Sequence, residues 1–196
     1  MAMGMFLFSG VDTMGKFLTE TVHPIQIVWF RQLGLFLGVL VLIGVQGRFV
    51  LSTANPKLQI GRGVLAACSA TLFIFAVGYV PLADAVAITF VAPFLVTVMG
   101  ALILREPVGL RRWSAVIVGF LGTLIVIRPG IGVIHPAALL LIVAATAFAL
   151  RQVLSRILAG TDRTRTTVAY TAIVSWSLLT LPLPFVWETP SSVLVL

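Results

Sequence analysis

The sequence predicts an all-α, polytopic integral membrane helix bundle, and three observations carry that prediction. Hydrophobic residues make up 60% of the 196 positions, before its 17 glycines are counted, and charged residues only 10%, against about 25% in an ordinary soluble domain. Apolar runs near the length that crosses ~30 Å of hydrocarbon recur along the chain. Lysine and arginine gather in alternate loops between those runs. A soluble globule of this length would need a mostly polar skin over its core, so lipid must be the solvent for most of the chain. Disorder is excluded by the same composition. The lone cysteine, Cys68, lies within an apolar run and can build no disulfide framework.

The elements follow in order. Met1 to Leu18 is apolar apart from Asp12 and Lys16. It lacks the basic start and small-residue cleavage site of a secretory signal, so it is expected to remain as the first span. Ile25 to Val45, broken only by Arg31, is the second. Val64 to Val80 and Ala85 to Leu104, both without charge, are the third and fourth. Trp113 to Ile127 is only 15 residues, but Arg111, Arg112 and Arg128 flank it and can snorkel to both interfaces. Ala137 to Leu158, charge-free up to Arg151, and Val168 to Trp187 complete seven spans. Punctuation separates them: His23-Pro24, Asn55-Pro56, Pro81, Glu106-Pro107, Arg128-Pro129-Gly130, His135-Pro136 and Pro190. The loops are short, so neighbouring helices run antiparallel.

With the N-terminus in the cytoplasm, ten of the 13 basic residues fall on that side: Arg48, Lys57, Arg62, Arg105, Arg111, Arg112, Arg151, Arg156, Arg163 and Arg165. Lys16, Arg31 and Arg128 remain in the outer half. The asymmetry predicts an N-in topology and accounts for the net charge of +7. Anionic headgroups of the lipid bilayer are its natural partner, and nucleic acid need not be invoked.

An offset of 140 lays Phe8 to Leu18 over Phe148 to Leu158, pairing Asp12 with Gln152 and Lys16 with Arg156. Five spans separate the copies, so the second must enter the membrane from the opposite side. That is the inverted repeat of secondary transporters, with a substrate site near midplane between the halves. Residues 1–130 then form a first five-helix unit, and 131–196 begin a second that reaches only two helices. The chain accordingly reads as a fragment of about 280 residues.

Ionisable groups in hydrocarbon cost about 2.5–3.5 kcal/mol each at a helix centre, and three qualify: Asp12, Lys16 and Arg31. Ser9, Asp12, Thr13 and Lys16 share one helical face, which is expected to look into the bundle. They can line a substrate or proton path, with Asp12 exchanging a proton and Lys16 or Arg31 meeting an anionic group. The alternative is an internal Asp12 to Lys16 pair near the outer headgroups. Arg31 lies about 9 Å into its span, within snorkelling reach, and its neighbours Trp29, Phe30 and Gln32 suit a planar ligand or a plain interfacial anchor. In the fourth span Thr89, Pro93 and Thr97 recur at four-residue spacing beside Phe90 and Phe94. Pro93 frees the carbonyl of Thr89, a break tolerated where it faces protein or a cavity, or a simple packing kink. On the sixth span Ala145, Ala149, Gln152 and Arg156 share a face, with Gln152 a pore-lining amide and Arg156 a cytoplasmic-end anchor. Tyr170, Thr171, Ser175 and Trp176 are further candidates in the seventh.

No metal-ligand spacing, phosphate loop or nucleophile elbow is present, so no enzyme, metal or cofactor is expected. The run Pro81-Leu82-Ala83-Asp84-Ala85-Val86-Ala87-Ile88-Thr89-Phe90-Val91-Ala92-Pro93-Phe94 resembles the EamA-type drug/metabolite transporter superfamily. Leu104-Arg105-Glu106-Pro107, Arg112-Trp113 and Gly119-Phe120-Leu121-Gly122 to Arg128-Pro129-Gly130 resemble its fourth and fifth helices. Asp12, Lys16 and Arg31 are similar to the branch containing riboflavin and S-adenosylmethionine uptake carriers. The resemblance implies two inverted five-helix halves and alternating-access transport of a small metabolite or drug-like solute across the bacterial inner membrane, and gives Glu106 a structural role at a turn. A homodimer is a candidate assembly. Two rival readings stand beside the carrier: a non-transporting packing or assembly protein, and an inactive truncated remnant.

Overall fold

A computed structural model describes residues 2–19, 22–105, 107–127 and 136–187. Among them the chain is all helix: α1 (Ala2–Leu18), α2 (Pro24–Gln46), α3 (Pro56–Val77), α4 (Leu82–Thr89), α5 (Ala92–Ile103), α6 (Leu110–Ile127), α7 (Ala137–Ala159) and α8 (Thr164–Thr180), with short 3₁₀ turns at Arg48–Leu51 and Leu183–Phe185. Five helical stretches are long and apolar enough to cross a bilayer, with α4 and α5 together forming one of them, Leu82–Ile103. The other two expected spans fall on the helices α1 and α6, which are not among those five.

Prolines set most of the starts. α2 opens at Pro24 behind His23, whose Nδ1 accepts the Ile25 N–H at 3.3 Å. It closes at Gly47, where φ is 75° and the backbone N–H donates to the Ile43 carbonyl at 2.8 Å. A side chain would strain that left-handed turn. α3 opens at Pro56, well before the expected Val64. Proline is at home in a first turn, because the N–H it lacks would have found no partner there. The early start winds Gln59 and Arg62 into the helix instead of leaving them in a loop.

The fourth span is broken as Pro93 predicts. Thr89 ends α4 and Ala92 begins α5, with Pro93 in the first turn. The Phe90 N–H bonds the carbonyls of Val86 and Ala87 at 3.2 Å each, tightening the last turn of α4, and the ladder resumes with the Leu95 N–H on the Val91 carbonyl at 3.1 Å. The Thr89 hydroxyl donates to the Val86 carbonyl at 2.7 Å.

α3 is the hub of the bundle. It packs along α7 and α8, while α2 lies on α8, α5 on α7, α6 on α4 and α5, and α1 touches α3. α7 and α8 meet each other little and clasp α3 from two sides. Lipid tails are as apolar as leucine, so close packing rather than exclusion of water must hold such helices together, and small residues permit it. Ala66, Ala67 and Ala76 of α3, Ala144, Ala145 and Ala149 of α7, and Ala169 and Ala172 of α8 are all buried. The approach is tightest at Gly63, where a Cβ would stand 2.6 Å from the Cβ of Val174. There Ser175 Oγ donates to the Gly63 carbonyl at 3.0 Å. Leu35, Leu37, Leu40, Val41 and Val45 of α2 face outward, as suits a lipid solvent.

Candidate functional site

The charged residues expected on α1 and α2 meet at one end of the bundle. Asp12 is buried, and Arg31 Nη1 donates to its Oδ1 at 3.3 Å, an ion pair joining the first two helices. About a third of the Arg31 side chain remains exposed, and little of Asp12. The alternative pairing of Asp12 with Lys16 is not the one formed. Lys16 Nζ turns away and donates to the carbonyls of Val77 at 2.9 Å and Val80 at 3.0 Å, where α3 ends. Terminal carbonyls lack helical donors and carry the negative end of the helix dipole, so a cation is well placed there. The shared face of α1 divides accordingly. Asp12 and Lys16 turn towards the bundle, whereas Ser9 and Thr13 are exposed, with the Thr13 hydroxyl on the Ser9 carbonyl at 2.9 Å.

Beside this pair runs an aromatic ladder. Phe36 of α2 stacks on Trp176 of α8 at 4.2 Å, Trp176 lies 5.8 Å from Trp29, Trp29 is edge-on to Phe30 at 5.1 Å, and Phe30 is 6.2 Å from Trp187. The Trp29 Nε1–H donates to Thr180 Oγ1 at 2.9 Å, tying α2 to α8. Gln32 is buried within the same stretch of α2. Sequence reasoning ranked Trp176 as a lesser candidate and passed over Thr180, because contacts between helices so distant in sequence leave no local signal.

The remaining candidates lie elsewhere. Phe90 and Pro93 are exposed and Thr89 is half-buried on α4 and α5. Phe94 packs against α6, 5.6 Å from Phe120 and 6.4 Å from Trp113. Thr97 is buried, its hydroxyl on the Pro93 carbonyl at 3.0 Å. Gln152 is half-buried on α7 and Arg156 exposed at its end. Glu106, Arg128 and His135 lie outside the described residues.

The opposite end is clamped by Asp162, between α7 and α8. Thr53 Oγ1, Gln59 Nε2 at 2.7 Å and the Ala54 N–H at 3.3 Å all donate to its carboxylate. These donors, the Thr53 hydroxyl foremost, hold the Asp162 carboxyl below the usual carboxylate range. Arg165 Nη1 donates to Gln46 Oε1 at the same end. Among the described residues no group of three or more His, Cys, Asp or Glu side chains could hold a metal ion.

A broken fourth span, an ion pair between apolar helices and helices packed on small residues are the features of a polytopic membrane helix bundle. Residues 1–128 match the EamA-like transporter family, and the chain belongs to it. It is 27% identical over 182 residues, 92% of its length, to an S-adenosylmethionine uptake transporter of Rickettsia prowazekii, covering 62% of that protein. It is 28% identical over 169 residues to a riboflavin transporter of Rhizobium johnstonii, covering 85% of this chain and 56% of the relative. It is 30% identical over 125 residues to a pseudopaline exporter of Pseudomonas aeruginosa, covering 63% and 43%. The chain thus spans about three fifths or less of the length of these relatives. No solved structure gives a significant match.

Proposed function

We propose that this chain belongs to a secondary transporter that moves a small metabolite across the bacterial inner membrane by alternating access. The Asp12–Arg31 pair carries the reading. Two opposite charges joining α1 to α2 within an apolar bundle are costly unless they serve something, the family match at residues 1–128 includes both, and relatives carry uptake and export names. Asp12 is the proposed proton-exchanging group, and Arg31 and Lys16 the groups that meet an anionic or electron-rich part of the solute. Trp29 with its aromatic neighbours offers faces for a flat ring system. Thr89, Phe90, Pro93, Phe94 and Gln152 are proposed to line the path further along.

The N-terminus is proposed to lie in the cytoplasm, a reading that the loop charges support. The division into a first unit, 1–130, and the start of an inverted second, 131–196, is supported by helix boundaries. The offset of 140 carries the start of α2 at Pro24 onto the start of α8 at Thr164. Saturable uptake by the complete protein in proteoliposomes tests the function, and Asp12→Asn tests the coupling. The expected outcome is uptake that rises with an inward proton gradient in the native protein and loses that dependence in Asp12→Asn. Unsaturable uptake would favour a packing or assembly role, and pH dependence surviving in Asp12→Asn would remove Asp12 from coupling.

A further inference from the structure

Two cations, one carboxylate and two helix-end carbonyls meet where α1, α2 and α3 come together, and their bonds depend on one another. Arg31 Nη1 donates to Asp12 Oδ1 at 3.3 Å. Lys16 Nζ donates to the Val77 carbonyl at 2.9 Å and to the Val80 carbonyl at 3.0 Å. The end of α1 is fitted against the turn that Lys16 holds. A Cβ at Gly15 would stand 3.2 Å from Ile74 Cδ1, and one at Gly78 would stand 3.8 Å from the Thr19 side chain. That turn leads into α4 at Leu82, and α4 carries Thr89 to the break ahead of Pro93.

Lys16 also has Asp12 within reach. The two stand at i and i+4 on α1 with the acid on the N-terminal side, the favourable order for a helical ion pair. Helical side chains lean towards the N-terminus of their helix, which for Lys16 is the direction of Asp12. Lys16 stays on α3 because Arg31 already answers Asp12. Without Arg31, one cation faces two claims. A helix end carries the equivalent of about half a charge, whereas a carboxylate carries a whole one. An unpaired carboxylate in an apolar bundle is also the costlier group to abandon. Asp12 therefore outcompetes the two carbonyls for the remaining cation. Of the two cations Arg31 is the one open to a solute, since about a third of its side chain is exposed.

We infer that Lys16 is a relay: when an anionic group of a solute draws Arg31 from Asp12, Lys16 leaves the end of α3 for Asp12 and frees the turn between α3 and α4. The trigger rests on the proposed role of Arg31 towards the solute. The change of partner does not, and it is read without transport.

Arg31→Gln stands in for the guanidinium drawn away. The readout is hydrogen exchange at the Tyr79 and Val80 amides, each bonded to the Ala76 carbonyl at 3.0 Å, in the complete protein in phosphatidylcholine nanodiscs. Lys16→Met gives the rate of a turn without its ammonium, expected to be at least about tenfold above native. Arg31→Gln is expected to reach the same rate from another helix. Asp12→Asn combined with Arg31→Gln is expected to return to the native rate, because Lys16 then has no carboxylate to move to. Arg31→Lys, which keeps a cation on Asp12, should also stay near it. Mere loosening of α1 from α2 would speed the double variant as much as the single one. The Ala54 amide, bonded to Asp162 at the other end, is expected to keep its native rate throughout. The inference is overturned by native exchange in Arg31→Gln or in Lys16→Met, or by equal speeding in the single and double variants. Speeding at Ala54 together with the turn would overturn it too, since Arg31 would then hold the whole fold and not the choice of partner. The expected exchange pattern without saturable uptake would instead remove the transport reading and leave the change of partner standing.

Discussion

Lys16 shows how one residue can satisfy two demands of the membrane. Its ammonium is costly in hydrocarbon, and the carbonyls of Val77 and Val80 at the end of α3 are equally short of partners. Each answers the other. Lys16→Met is expected to cost about 1.5–3 kcal/mol, the range for hydrogen bonds to a charged group, seen as a lowered unfolding midpoint in detergent; Lys16→Arg should recover part of it. Asp162 behaves differently because it titrates within reach of experiment. Its carboxyl is held below the usual range by the Thr53 hydroxyl and the neighbouring donors, so the folded state prefers the ionised form. The stabilisation is complete above the ordinary carboxylate value of about 3.9. It is lost as pH falls through the lower folded value. Hydrogen exchange at the Ala54 amide, which donates to Asp162, should therefore quicken relative to intrinsic rates only in acid, whereas Asp162→Asn should remove that pH dependence. An acid-insensitive Ala54 amide in the native chain would contradict the clamp.

Helices here are held by closeness, and the glycines separate sharply by position. At Gly63 an added Cβ would collide with Val174 at 2.6 Å, yet at Gly61 nothing lies within 4 Å. Gly63→Ala should accordingly destabilise by about 1–3 kcal/mol through overpacking, and Gly61→Ala should stabilise by up to about 1 kcal/mol through helix propensity. Opposite shifts in unfolding midpoint are the signature; equal shifts would mean that α3 and α8 do not meet as described. The elements themselves were largely legible in the sequence, because uninterrupted apolar runs need little context to be read as spans, and Pro93 announced its own break. The start of α3 was not. Counting apolar residues placed it at Val64, since Lys57, Gln59 and Arg62 look like a loop, although Asn55-Pro56 is a helix-start signal. That eight-residue difference hid Arg62 among the cytoplasmic charges. Of the candidate site, the sequence pointed to three costly charges but not to how they pair. The cost of charge in lipid pointed to Asp12, Lys16 and Arg31, but spacing along one helix left an Asp12 to Lys16 pair open, and only the placement of α1 against the end of α3, with Arg31 of α2 in reach, sorts the partners.

At the scale of the molecule, α3 is gripped by α7 and α8, helices that lie far from it in sequence. That packing puts charged groups at both ends of one seam system, with Asp12 and Arg31 near one end and Arg62 and Arg151 towards the other. The central claim is that the Asp12–Arg31 pair serves translocation and not packing alone. Its most direct test is uptake by the complete protein carrying Asp12→Asn together with Arg31→Gln, which removes both charges and keeps polar groups of similar shape. A variant that remains monodisperse but takes up solute at least about tenfold more slowly, the loss expected when even one charge-assisted contact in the path is removed, is the predicted result. Native uptake by that uncharged pair would contradict the claim and leave the two residues as a fastening between α1 and α2.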